Sequence, residues 1–324
     1  MKNLFNRFKN QDSFFSIVIS AIFFLILAVL SPYFFKSSNL LSLQAVIAPR
    51  VIIAIGMMVV LIIGMFDLSV GSIMGFSGIV CGYLLGHGNS IFVSVLAALG
   101  TGILIGLING LLIAVGNIPP LIVTIGTMYI FRGFAEMIMT SDLAMSLTGF
   151  PQEFLDFGDS TFLGVYNMVW IMLVLLVIIE LVLKRTYIGR SLYYIGGNKT
   201  SAISLGFNVK WATIGSFVLS GFLSALAGVL SIARFQSASR YLGQGIQIDI
   251  LIACIIGGGS LLGGKGDMKG AFFGTVFIAL LVNAFNLFEI NSLFKSVVVG
   301  GALVLVVFFD GYIYLRKMRA LGKV

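Results

Sequence analysis

Apolar runs of membrane-crossing length follow one another along nearly the whole chain, and no other feature constrains the fold as much. A helix needs about 20 mostly apolar residues to cross a bilayer. Ten such runs occur, at roughly 13–35, 43–64, 69–86, 91–116, 119–140, 162–184, 211–233, 249–263, 270–288 and 292–311. Inside lipid every backbone N–H and C=O must be satisfied by the protein, which leaves helices or a closed barrel. The alternating pattern of a membrane barrel is absent. The expected fold is therefore all-α, a polytopic bundle of about ten transmembrane helices. The third and eighth runs are short and glycine-rich, so they are expected to be broken or strongly tilted. The first run is too long for a signal peptide and lacks a small-residue cleavage site.

Composition supports this reading. Of 324 residues, 59% are apolar and 10% charged, against about 25% charged in ordinary soluble domains. That excludes a soluble enzyme, a disordered chain and a nucleic-acid binder. Cys81 and Cys254 lie inside apolar runs and read as small buried hydrophobes. With one histidine, a transition-metal centre is not expected.

Charge distribution sets the topology. With ten spans, fourteen of the twenty Lys and Arg residues fall on one face. They lie in the arm 1–12, the loop 185–210 with Lys184 just before it, the loop 264–269, and the tail 312–324. Lys36, Arg234, Arg240 and Lys295 fall on the other, and Arg50 and Arg132 inside spans. The positive-inside rule places both termini in the cytoplasm. The whole chain, 1–324, reads as a single transmembrane domain without room for an ATPase or a solute-binding domain. Such parts, if used, would be separate chains.

Glycines recur at small-xxx-small spacing: Gly71 and Gly75, Gly78 and Gly82, Gly102, Gly106 and Gly110, Gly270 and Gly274. This pattern lets helices approach closely. The paired short spans at 69–86 and 249–263 also suggest an internal repeat around a central pathway. The segment Gly259–Gly266 approaches a phosphate-binding loop but has Gly266 where a hydroxyl residue is required. It reads as a glycine-rich turn at the membrane surface.

Four charges call for burial or a partner. Arg132 and Glu136 share one helix face and read either as a structural pair or as the border of a polar pathway; the same alternatives apply to Arg50, which follows Pro49 at an expected kink. Asp67 begins the third span and reads as a helix cap. Glu180 and Lys184 form a further i,i+4 pair at a helix end. Ser69, Ser72, Asn109, Thr124, Thr127 and Asn283 are candidate pathway-lining residues by polarity. The alternative for each is an interhelical hydrogen bond, worth about 0.6 kcal/mol on average. After the break at Gly196-Gly197, Asn198 can cap a short helix from Lys199 to Leu205 that Gly206 stops. A short, half-exposed helix between two spans suits either docking by another protein or an interfacial position.

Several stretches, in this order, resemble the permease subunits of bacterial ABC importers for ribose and related sugars. They are Asp67-Leu68-Ser69-Val70-Gly71-Ser72; Pro119 to Met128 with Arg132-Gly133; Gly189-Arg190 and Gly196-Gly197-Asn198 through Gly206; and Ile256 to Leu261 with Gly263-Gly264-Lys265-Gly266 and Gly270. Met65-Phe66 departs from that pattern. Phe235–Gly245 looks more like permeases for autoinducer-2 and similar sugar derivatives. The resemblance implies a non-catalytic subunit of the bacterial inner membrane that pairs with a second permease chain, identical or paralogous. An extracytoplasmic binding protein would deliver the sugar. ATP would be bound by a separate cytoplasmic ATPase, with no cofactor held by this chain. The loop with Gly196, Gly197, Asn198, Lys199, Ala202, Gly206 and Phe207 matches the segment that couples to the ATPase. A rival class is an ion-coupled secondary transporter of a small polar solute. It calls for buried mid-membrane carboxylates, and the spans offer Glu136 near the outer end. A membrane scaffold would not need polar, broken spans.

Overall fold

The computed structural model describes residues 13–140 and 146–291, with Phe294, Val297, Val298, Gly300, Gly301 and Val304. Its helices are α1 (Phe14–Leu30), α2 (Ser37–Ile62), α3 (Val70–Gly86), α4 (Ile91–Ala114), α5 (Pro120–Thr140), α6 (Gln152–Asp159), α7 (Asn167–Arg185), α8 (Tyr187–Gly197), α9 (Lys199–Ser204), α10 (Val209–Phe235), α11 (Ile246–Ile256) and α12 (Met268–Leu287). Four two-residue strands form two small antiparallel pairs. β1 (Ser146–Leu147) pairs with β4 (Ala238–Ser239), and β2 (Thr161–Phe162) with β3 (Val165–Tyr166).

The architecture is mostly all-α. Six described helices, α2, α4, α5, α7, α10 and α12, are long and apolar enough to cross a membrane, and α1, α3 and α11 are shorter apolar helices. The expected count of about ten therefore reduces to six full-length candidates and three short ones among the described residues. Nine expected runs coincide with these helices. The tenth lies mostly outside the described residues, and the arm 1–12 and the tail 312–324 lie wholly outside them. The eighth run, 249–263, is broken, as its glycines lead one to expect, and its helix starts earlier, at Ile246. It is helical only to Ile256, after which Gly257 to Gly266 form turns with positive φ at Gly258, Gly263, Gly264 and Gly266. The first run ends at Leu30, and the sixth becomes helical only at Asn167.

Burial follows from sequence. Helix α2 is apolar on all sides from Val51 to Ile62, and those residues are all buried. A helix of that kind belongs in the interior. It packs with α10, α11 and α12 in the largest core cluster. Helices α4, α5 and α7 instead expose rows of Leu, Ile, Val and Phe, as lipid-facing helices do. The helix continues through Pro49, and Arg50 follows that proline within it.

Close packing uses the glycines. A Cβ on Gly106 of α4 would fall on the Phe217 carbonyl oxygen of α10 and within 2.9 Å of the Val218 Cα. Gly102 faces Gly221 in the same way. Helices α3 and α11 are too short to cross about 30 Å of hydrocarbon at 1.5 Å per residue. Irregular backbone precedes each of them: 63–69 is buried or half-buried, whereas 236–245 is mostly half-buried or exposed around the buried Ala238. The starts of the two short helices meet, because a Cβ on Gly71 would reach the Gly243 carbonyl and, at 2.6 Å, the Gln247 Oε1.

Candidate functional site

One end of the bundle gathers the loops between α7 and α10, between α11 and α12, and after α2. Thr186 caps α8 through its side chain, accepting from the Gly189 N–H at 3.0 Å. Helix α8 then ends at Gly197, and the Asn198 Oδ1 accepts from the Ser201 N–H at 2.9 Å, capping α9. Gly206 follows α9 with φ of +83°. Ala202 is the buried residue of α9, whereas Lys199 is exposed. Phe207 stacks on Tyr194, with ring centroids 5.5 Å apart and an 11° interplanar angle, and lies 5.5 Å from the Tyr187 ring.

This platform is tied to the bundle by backbone. The Gly264 N–H donates to the Ile62 carbonyl at 2.8 Å, and Tyr193 Oη donates to the Gly266 carbonyl at 2.8 Å. A Cβ on Gly196 would fall on that same Ile62 oxygen, and 2.6 Å from the Gly264 nitrogen. Gly197 has open space at its Cβ position. The 259–266 segment is thus a glycine-rich turn that braces α8, as its composition suggests. Nearby, Glu180 accepts from the Met268 N–H at 3.1 Å and pairs with Lys184. Asp267 caps α12 through the Gly270 N–H at 2.7 Å and accepts from Ser13 Oγ at 3.1 Å. Burial pushes the Asp267 carboxyl above the ordinary carboxylate range, and the Gly270 N–H opposes that shift.

About eleven residues up α10 from this end, or ~16 Å, lies a buried polar cluster. Asp67 is fully buried. Its Oδ1 accepts from the Ser69 N–H at 3.0 Å and from Ser69 Oγ, and its Oδ2 accepts from Ser220 Oγ of α10 at 2.8 Å. Asn109 of α4 donates to Ser69 Oγ at 2.9 Å, and Ser72 Oγ donates to the Ser69 carbonyl at 2.8 Å. The capping role expected of Asp67 is therefore corrected. It holds the turn into α3 and also ties α3 to α10. Ser69, Ser72 and Asn109 are brought together here. Ser220 was not singled out, because nothing local marks one serine of α10 over the other three.

The other candidates lie apart. Thr124 and Thr127 are buried but donate to carbonyls of their own helix, at 2.9 Å to Pro120 and 3.0 Å to Val123. Asn283 donates to Asn39 Oδ1 at 2.7 Å, tying α12 to α2. Arg132 and Glu136 do not form the expected ion pair. Among the described residues the ion pairs are Lys184–Glu180 and Arg234–Asp159. Arg132 Nη1 donates to the Arg240 carbonyl at 3.1 Å and the Leu242 carbonyl at 2.9 Å, while Glu136 is exposed. Arg132 thus clamps the 236–245 connection onto α5. Replacing it with Gln is expected to cost about 1.5–3 kcal/mol locally. Hydrogen exchange in 238–245 should then accelerate by about tenfold or more; unchanged exchange would rule out the clamp.

Comparison with known proteins places this architecture. Residues 39–307 match the family model described as branched-chain amino acid transport system / permease component. The ribose import permease protein RbsC of Haemophilus influenzae is 33% identical, over 98% of this chain and the whole of that protein. The D-allose transport system permease protein AlsC of Escherichia coli is 34% identical over 95% of this chain and 94% of its own length. The L-arabinose ABC transporter permease protein AraH of Azospirillum brasilense is 31% identical over 91% of this chain and 86% of its own. The match spans the buried Asp67 cluster, the α8–α9 platform and the helices that hold them, and on that extent the chain belongs to this family of multi-pass transport permeases.

Proposed function

We propose that this chain is the membrane-spanning subunit of an ABC importer for a monosaccharide or sugar-like solute. The observation that carries the reading is the agreement of full-length relatives that are named permeases for ribose, allose and arabinose. The chain forms the pathway and makes no covalent bond. Hydrolysis of ATP belongs to a separate cytoplasmic ATPase, and a binding protein delivers solute from the other side. A second permease chain completes the pathway. The protein sits in the bacterial inner membrane with both termini cytoplasmic.

The α8–α9 platform is the proposed ATPase contact, and three features support it. Helix α9 is capped at both ends, so it is a stiff element. Lys199 and the Tyr187–Phe207–Tyr194 aromatic group present a half-apolar, basic surface. Gly196 and Gly264 join it through backbone to the end of α2, so a push on α9 reaches the central helix without slack. Ser69, Ser72, Asn109, Thr124, Thr127 and Asn283 remain proposed pathway residues. An ion-coupled secondary transporter calls for a buried mid-bundle carboxylate, and Asp67 is one. The relatives favour the ABC reading.

The test is affinity purification of the tagged chain from its own cells in mild detergent, followed by mass spectrometry. An ATPase subunit should co-purify. Lys199→Glu reverses an exposed charge on α9 and should deplete the ATPase while the permease stays at wild-type abundance. A pure homo-oligomer without ATPase would sink the proposal.

A further inference from the structure

A cavity of about 250 Å³ lies between α2, the start of α3, the end of α10, the 241–245 connection and α11. It holds about eight liquid-water volumes, room for one sugar ring. Arg50, Ser231, Gln244 and Asp249 supply polar groups, and Phe235 and Tyr241 supply aromatic faces. Arg50 is about twelve residues, ~18 Å, from the Ile62 end of α2 that meets the α8–α9 platform. Its Nη1 is buried and has no hydrogen-bond partner. An uncompensated donor on a buried cation is costly. It is retained most readily where a ligand supplies the acceptor.

Two further observations point the same way. Asp249 lies within charge–charge range of Arg50, so the cavity carries both signs and no strong net preference for an ion. The cavity also adjoins the place where the short helices α3 and α11 begin, with Gly243 and Ile246 in its wall. In transporters, solute sites form where discontinuous helices meet near the midplane.

The geometry points to this cavity as the transit site for a single neutral, polyhydroxylated ring. Arg50 donates to hydroxyl oxygens, Asp249 accepts from hydroxyl groups, and Tyr241 covers the apolar face of the ring. The assignment rests on the importer reading above and adds to it a location within the chain. The site takes one monosaccharide and excludes disaccharides and phosphorylated sugars. Arg132 supports it indirectly, because its bonds to the Arg240 and Leu242 carbonyls hold the connection that carries Tyr241 and Gln244.

The experiment uses cells expressing the complete transporter and radiolabelled D-ribose, L-arabinose and D-allose, with ribose 5-phosphate and sucrose as competitors. At least one labelled sugar should enter, and neither competitor should inhibit. For that sugar, Arg50→Gln and Asp249→Asn should each lower uptake about tenfold or more, the worth of one charge-assisted hydrogen bond. ATPase co-purification should stay at wild-type level. Unchanged uptake in both variants overturns the site, and so does inhibition by ribose 5-phosphate. A second measurement does not depend on transport. Maleimide labelling of Gln244→Cys should slow severalfold with the transported sugar and not with sucrose; equal rates overturn the site. Absence of both sugar uptake and ATPase co-purification would instead overturn the importer reading, and this site with it.

Discussion

Asp67→Ala is expected to lower the melting temperature of the detergent-solubilised protein by roughly 6–12 °C. The reasoning starts from burial. Asp67 has no exposed surface, and its two oxygens accept three hydrogen bonds. Alanine leaves the Ser69 N–H and the hydroxyls of Ser69 and Ser220 to find other partners inside the bundle. Interhelical hydrogen bonds in membranes average only about 0.6 kcal/mol, but a buried group stripped of its partner costs about 1–3 kcal/mol. A total near 3 kcal/mol follows. At about 2–4 °C per kcal/mol for a chain of this size class, that gives the stated shift. Asp67→Asn keeps the shape and one acceptor oxygen, and Ser220 can reverse its hydroxyl to accept from the new amide. It should recover at least half of the loss. Thermal unfolding followed by tryptophan fluorescence or size-exclusion would check both. A wild-type melting temperature for Asp67→Ala would show that the cluster does not tie α3 to α10.

Gly106→Leu is expected to have a larger effect, abolishing recovery of a monodisperse protein. The neighbours of a Cβ at this position are backbone atoms of α10, the Phe217 carbonyl and the Val218 Cα. Backbone inside a packed helix cannot rotate away as a flexible side chain would. The α4–α10 pair must therefore separate along its length, opening the Gly102–Gly221 contact as well. Overpacking ordinarily costs about 1–3 kcal/mol, and forced separation of two central helices exceeds that range. Gly100→Ala is the matched control. Gly100 lies on the same helix, is exposed, and has nothing within 4 Å of its Cβ position. Alanine there should be neutral or add up to about 1 kcal/mol through helix propensity. Equal yields for the two variants, read by size-exclusion chromatography after membrane extraction, would refute the close-packing account.

The two glycines show how differently sequence and structure contribute. Gly102, Gly106 and Gly110 announce a packing face by spacing alone, because helical periodicity is local. Their partner is not local. That the face meets Phe217 and Gly221, more than a hundred residues away, depends on how the bundle assembles. The i,i+4 rule was equally good within its range. It correctly paired Glu180 with Lys184, and it failed for Arg132 and Glu136, because the carbonyls of Arg240 and Leu242 offered Arg132 a more buried set of acceptors.

The short helix after Asn198 was legible to within a residue, since a capping side chain, a six-residue helix and a stopping glycine act over one or two turns. The interruption of the eighth run was legible from its glycines, but where it breaks was not; the third run, equally glycine-rich, is one unbroken helix. Helix α3 begins only at Val70 and α11 ends at Ile256, and it is the packing of Gly71 on Gly243 and Gly257 on Gly270 that holds those ends in place.

By itself, then, the sequence determined the solvent, the number and order of apolar runs, the Asn198 cap and the family. All of these depend on composition or on residues near one another in the chain. The tertiary structure alone decided that Asp67 reaches Ser220, that Asn283 reaches Asn39, and that Arg50 and Asp249 share one cavity. Those partnerships join residues about 150 to 240 positions apart, and the energy that selects them is the cost of leaving a buried polar group unsatisfied, which can be assessed only once every helix has its neighbours.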